Sequence, residues 1–245
     1  TNATYYFYVK DIVGNVNKKS IVVNRIDKTS PSVPTVKSSY KIGVDPNSIY
    51  ARNYSNLGSI WTTANSDPYI DFKPSGDLDK YKNVTQVQIG IVNVSVSSLP
   101  IQVFYSKGSN GYAQANSVTQ TFTRNSSNSI NATINIPKGT YNGIRVDIGN
   151  KAGIKYGFGT IDLVADNGCS HHHYIRTMLS STDNASGIAK YQQSKDKKTW
   201  TDCSSTNTYD GASGQAPATY YYRAIDNAGN VGAVTAGIYI NYKPL

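Results

Sequence analysis

The sequence predicts an all-β protein, and three observations carry that prediction. Asn, Ser, Thr and Gly abound among its 245 residues, Glu is absent and there is a single Met. These are turn and strand-edge residues that serve helix interiors poorly. The aromatic share rests on 20 Tyr against 5 Phe, a bias that suits half-buried strands whose hydroxyls reach water. No window of helical length keeps an apolar period of 3.6 residues.

The chain opens on "ATYYFYVKDIVGNV" (3–16) and nearly closes on "ATYYYRAIDNAGNV" (218–231), identical at eight of fourteen positions. In each copy an aromatic, β-branched run predicts a strand. The Asp, Gly and Asn that follow supply a tight connection, because Gly and Asn accept positive φ. "KKSIVVNRI" and "AVTAGIYINY" are the second strands of the two hairpins. Alternation along a strand sends one of each pair Tyr5/Tyr6 and Tyr220/Tyr221 to the core and its neighbour to the surface. "DKTSPSVPTV", rich in Pro and Ser, reads as an extended connector. The chain begins inside the repeated motif and reads as a piece of a longer protein.

Between the two copies, short strand candidates recur: "PYIDFK", "VTQVQIGIVNV", "IQVFY", "QTFTR", "INATINI", "IRVDIG" and "GTIDLVA". "KGSNGY", "NSSNS", "PKGTYNG" and "GNKAG" separate them as turns. A helix-free run of this length with seven or eight strands predicts a jelly-roll sandwich.

"YYFYVKDIVGNVNKKSIVVNRIDKTSPSVP" resembles the closing hairpin and linker of bacterial Ig-like repeats, which string together surface proteins and secreted glycosidases, mainly of Gram-positive bacteria. "DNASGIAKYQQSKDKKTWTDC" and "ATYYYRAIDNAGNVGAVTAGIYI" are similar to the centre and final hairpin of the same repeat. "WTTANSDPYIDF", "IQVFYSKGSNGY" and "GIRVDIGN" resemble jelly-roll, carbohydrate-binding-module-like domains that neighbour such repeats. The resemblance implies three segments: residues 1–36, the end of an Ig-like module; 37–166, the jelly roll; and 167–245, an Ig-like module. It makes Trp200 the inter-sheet core tryptophan. It implies a monomeric stretch of a secreted or surface-attached bacterial protein.

The net charge of +9 is diffuse. Five basic residues face two Asp over 1–36, twelve face eight over 37–166, and seven face five over 167–245. No Arg-rich helix or nucleic-acid motif accompanies it, so nucleic acid is not a predicted partner. An anionic wall or polysaccharide would feel this charge at long range. No apolar run predicts membrane insertion. Cys169 and Cys203 are either bridged or two buried thiols.

No catalytic set emerges. Glycoside hydrolysis needs two carboxylates about the bond, and the Asp77/Asp79 and Asp67/Asp71 pairs read as solvated loop carboxylates. His171, His172 and His173 have no nucleophile elbow to serve, and read as a linker or strand-edge run more readily than as metal ligands. No cofactor is predicted; a structural Ca²⁺ held by Asp45, Asp162 and Asp166 is an option.

Sugar binding asks for less: an aromatic face for a pyranose and a few planar polar groups. Trp61 and Tyr69 flank "TTANSDP", Tyr105 and Tyr112 flank "SKGSNG", and Arg145 and Asp147 share a strand face by their spacing of two. Core filling competes for Trp61 and Tyr105, and a plain ion pair for Arg145 and Asp147. Tyr112, in its Gly-Ser-Asn loop, leads as an exposed aromatic without a packing role. The expectation is a non-catalytic glycan-binding fragment on Ig-like spacers, with a structural stalk or adhesin segment as the alternative.

Overall fold

The computed structural model describes residues 3–24, 26–42, 49–73, 81–108, 111–166, 174–210 and 216–240. It is all-β, with several antiparallel sheets. In chain order the strands are β1 (Ala3–Lys10), β2 (Val16–Val23), β3 (Thr35–Ile42), β4 (Tyr50–Arg52), β5 (Tyr54–Leu57), β6 (Trp61–Thr63), β7 (Tyr69–Phe72), β8 (Tyr81–Val92) and β9 (Ser98–Ser106). They continue with β10 (Ser117–Thr123), β11 (Ile130–Tyr141), β12 (Gly143–Ile148), β13 (Lys155–Ala165), β14 (Tyr174–Ser180), β15 (Ile188–Ser194), β16 (Thr201–Cys203), β17 (Thr206–Asp210), β18 (Ala218–Asp226) and β19 (Ile238–Ile240). Each of the seven central strand candidates lies on one of β7 to β13. No helix among the described residues is long and apolar enough to cross a membrane.

The chain divides into two compact units. One comprises Thr1–Thr35, Ser180–Ser204 and Tyr221–Ala236; the other comprises Val36–Leu179, Ser205–Tyr220 and Gly237–Leu245.

The larger unit holds a five-stranded sheet, β10-β9-β12-β7-β4, and a longer one that includes β11-β8-β13-β3. Strands such as β7, β9 and β11 bury alternate residues, as the strands of a β-sandwich do. Ile70, Phe72, Ile101, Val103, Ile144 and Val146 form one inner layer, and Val87, Ile89, Ile91, Ala132 and Ile134 another. Asn supplies the sharp corners: Asn53, Asn93 and Asn128 adopt φ of 63°, 53° and 55°, which a short polar side chain tolerates and a β-branched one does not.

In the smaller unit, β1 and β2 pair from Ala3↔Val23 to Lys10↔Val16. The turn of this hairpin and that of its repeat are built alike. Asp11 Oδ1 accepts the amides of Val13 and Asn15, and Asp226 Oδ1 accepts those of Ala228 and Asn230. The second carboxylate oxygen accepts the Asn15 or Asn230 side-chain amide at 2.8 Å. The surroundings differ. Tyr220, Tyr222 and Ala224 are buried, whereas Tyr5, Tyr6 and Phe7 are all exposed. The expected core-and-surface division therefore fits β18 and not β1, whose two faces are both exposed among the described residues.

Trp200 departs from the inter-sheet position. It is half-buried, its Nε1 donates to the Lys197 carbonyl at 3.2 Å, and the Arg223 guanidinium lies 4.1 Å over its ring. Because Tyr222 and Ala224 face the core, Arg223 between them faces outward and takes the indole with it.

Candidate functional site

Strand register puts eight side chains on one face of the five-stranded sheet. Tyr50 lies opposite Asp71, Asp71 opposite Arg145, and Arg145 opposite Phe104. In the next row Arg52, Tyr69, Asp147 and Gln102 lie opposite one another. Directly paired residues point to the same side, and so do residues two apart. Polar and aromatic residues thus line the face that turns away from the apolar layer of Ile70, Ile144 and Val146.

Where β7 and β9 end and β12 begins, this face opens into a cavity of about 380 Å³. Tyr69, Asp71, Lys73, Ser106, Tyr112, Asn142, Gly143 and Arg145 line it, with Gly108 and Gly111. Tyr112 reaches over from the segment after β9. Its hydroxyl donates to Asp71 Oδ1, and its ring meets Phe104 edge-on at 6.4 Å. It is half-buried, more enclosed than its loop sequence suggests. Burial first, then the hydrogen bond and charge of Asp71, push the Tyr112 hydroxyl far above the ordinary phenol range, so it stays a proton donor. Gly143 makes room for it: a Cβ there would lie 2.6 Å from Tyr112 Oη.

Arg145 organises the floor. Nε donates to Asp147 Oδ1 and Nη2 to Asp147 Oδ2, both at 2.7 Å. Nη2 also reaches Asp67 Oδ1. The guanidinium lies 4.0 Å over the Tyr69 ring and 5.1 Å from that of Phe104. Burial opposes its charge, but Asp147 and then Asp67 more than compensate and raise its pKa. Burial, opposed by the Arg145 fork and aided by the neighbouring Asp67, leaves the Asp147 carboxyl above the usual carboxylate range.

The cavity lining therefore includes Tyr69, Tyr112 and Arg145, with Asp147 held behind Arg145. It does not include Trp61 or Tyr105. Trp61 is 2% exposed, packed against Tyr54 at 5.1 Å and Phe158 at 4.9 Å. An indole enclosed on this scale cannot offer its face to a sugar, so Trp61 is a core residue and not the binding residue its loop suggested. Tyr105 pairs with Ile144, so it points away from Arg145, and it packs on Tyr141 at 5.3 Å. Lys73, Ser106, Asn142 and Gly143 escaped sequence reasoning. "YNG" in "PKGTYNG" signals a turn, and nothing local says that the turn borders a cavity.

Of the residues considered for metal, Asp166 pairs with Lys138 at 2.9 Å and Asp162 is buried in β13. Asp45, Asp77, Asp79, Cys169 and His171–His173 lie outside the described residues. Asp27, Asp183 and Asp226 bring carboxylate oxygens within 4.8 Å of one another in the smaller unit. Both oxygens of Asp226 already accept hydrogen bonds from its own turn.

No family model matches the chain, and no curated protein matches it. Solved structures give weak likenesses. One is the C-terminal CBM6 domain of a laminarinase from Zobellia galactanivorans, with TM-score 0.30 and 11% identity, covering 52% of this chain and 98% of that one. Another is the glycoside hydrolase domain of Endo-D from Streptococcus pneumoniae, with TM-score 0.29 and 12% identity, covering 82% of this chain and 37% of that one. A third is the adhesin domain of Epf from Streptococcus pyogenes, with TM-score 0.19 and 8% identity, covering 86% and 93%. Likeness of this strength carries no functional argument.

Proposed function

We propose that the chain is a non-catalytic glycan-binding fragment of a secreted or cell-surface bacterial protein, in which residues 37–166 form a jelly-roll binding domain and the Ig-like segments 1–36 and 167–245 act as spacers. The observation that supports this reading is the cavity on the outward sheet face. Tyr69 and Tyr112 supply aromatic surface, Arg145 is fixed by Asp147, and Asn142 and Ser106 offer planar and hydroxyl polar groups. A few oriented polar groups around an apolar wall in a largely preformed site are what a pyranose requires. Among the described residues, Asp71 is the one carboxylate in the lining, and it is engaged by Tyr112 and Lys73. Asp67 and Asp147 are engaged by Arg145, so the reading assigns no acid–base pair.

A glycan array screened with the chain and with Tyr112→Ala tests it. Tyr112→Ala should weaken binding by on the order of ten- to thirty-fold, or about 1–2 kcal/mol. An array without hits would remove the reading.

A second reading, a structural or adhesive segment that binds protein, draws on the N-terminal hairpin. Tyr6, Phe7, Tyr8, Val9, Ile12 and Val13 are all more than half exposed, and contiguous apolar surface of this kind suits a protein partner. Tight binding to a protein, with no glycan binding, would favour it.

A further inference from the structure

The chain carries +9, which by itself would suggest an anionic glycan. The cavity is built the other way. Arg145 is the lining residue best suited to a carboxylate or sulfate, through a two-pronged fork. Its Nε–Nη2 edge is already filled: Nε and Nη2 meet Asp147 at 2.7 Å each, and Nη2 also meets Asp67. The second cation of the lining, Lys73, is directed to Asp71 at 3.4 Å. Among the described residues, these two cations thus meet three carboxylates. Arg52, one strand further out, lies outside the lining and covers Tyr50 at 4.4 Å.

The neutral groups lean the same way. Tyr112 and Ser106 donate hydrogen bonds to Asp71 and to the Gly108 carbonyl, which leaves each hydroxyl's lone pairs for a guest. Such a wall favours O–H donors, and its lone pairs and carboxylate-paired cations oppose a carboxylate or sulfate group.

We infer, resting on the glycan-binding reading above, that the cavity selects uncharged, hydroxyl-rich sugars and excludes uronate, sialate and sulfated residues, against the sign of the whole chain. Attraction of the diffuse positive surface to polyanions is then a separate, salt-sensitive effect.

The experiment measures binding of the full chain, Tyr112→Ala and Tyr112→Phe by calorimetry and affinity electrophoresis. The probes are a neutral β-glucan, a neutral galactomannan, polygalacturonate and hyaluronate, each at low and high salt. The expected result is binding to a neutral polymer that survives high salt and falls at least ten-fold in Tyr112→Ala. Any binding to the two acidic polymers should vanish in high salt and be the same in all three proteins. Tyr112→Phe keeps the ring and guards against a folding defect in the alanine variant; it should retain more of the neutral-polymer affinity. Acidic-polymer binding that persists in high salt and depends on Tyr112 would overturn the selectivity while leaving the glycan reading intact. No Tyr112-dependent binding to any polymer would overturn both.

Discussion

Arg145 and Asp147, two residues apart on β12, meet edge to edge through two 2.7 Å hydrogen bonds, with both side chains largely shielded from solvent. Removing one partner of such a pair strands the other charge in a poor solvent, at about 3–5 kcal/mol. Arg145→Leu should therefore be destabilising by about 3 kcal/mol in chemical denaturation, and Arg145→Leu/Asp147→Leu should recover much of the loss. The pH dependence has a defined sign. Burial raises the folded-state pKa of Asp147, so the folded state binds more protons and stability falls as pH rises through that pKa. Without Arg145 the Asp147 carboxyl should titrate higher still, which carboxyl-detected NMR would record. An unchanged midpoint would contradict the pairing.

Gly143 lets Tyr112 sit where it does. A methyl group at 143 would come within 2.6 Å of Tyr112 Oη, and the tyrosine, anchored at its far end by Asp71, is the part able to move. Gly143→Ala should swing Tyr112 out of its bond to Asp71 and weaken glycan binding about as much as Tyr112→Ala does. The stability change should stay near 1 kcal/mol, within the range of a modest steric adjustment. Calorimetry on the variant reads the first outcome and thermal melting the second.

The repeated hairpins provide a matched pair. Phe7 and Tyr222 occupy the same place in the motif, yet Phe7 is 61% exposed and Tyr222 fully buried. Phe7→Ala should shift stability by no more than about 0.5 kcal/mol. Tyr222→Ala should cost about 3–5 kcal/mol through the cavity it leaves. Similar losses for the two would mean that the first hairpin is also covered.

Asp196 caps the turn after β15. It accepts the amides of Thr199 and Lys198 at 2.8 Å each, and the Ser194 hydroxyl at 2.9 Å. These bonds, in that order, lower its pKa to about 2. Its folded-state pKa lies below the unfolded value, so its contribution is complete above roughly pH 4 and disappears as pH falls toward 2. An NMR titration of the Asp196 carboxyl should give a midpoint near 2. A midpoint at an ordinary Asp value would show that the turn is not held this way.

Much of this was legible in the chain itself. The β-rich composition, the alternating apolar residues of "IQVFY" and "INATINI", and the Asp-Gly-Asn turns determined the all-β class and the central strands, because alternation and turn chemistry are local properties of the backbone. The shared face of Arg145 and Asp147 followed from their spacing of two on a strand. What only the tertiary structure decided is which strands lie side by side and which layer covers each face. That pairing brought Tyr69 of β7 and Tyr112, from the segment after β9, to Arg145 of β12. It sent Trp61 into an aromatic core and turned Trp200 outward beneath Arg223. It also separated Phe7 from Tyr222, which near-identical local sequences could not do. Burial depends on neighbours distant in the chain, and a motif read alone carries no record of them.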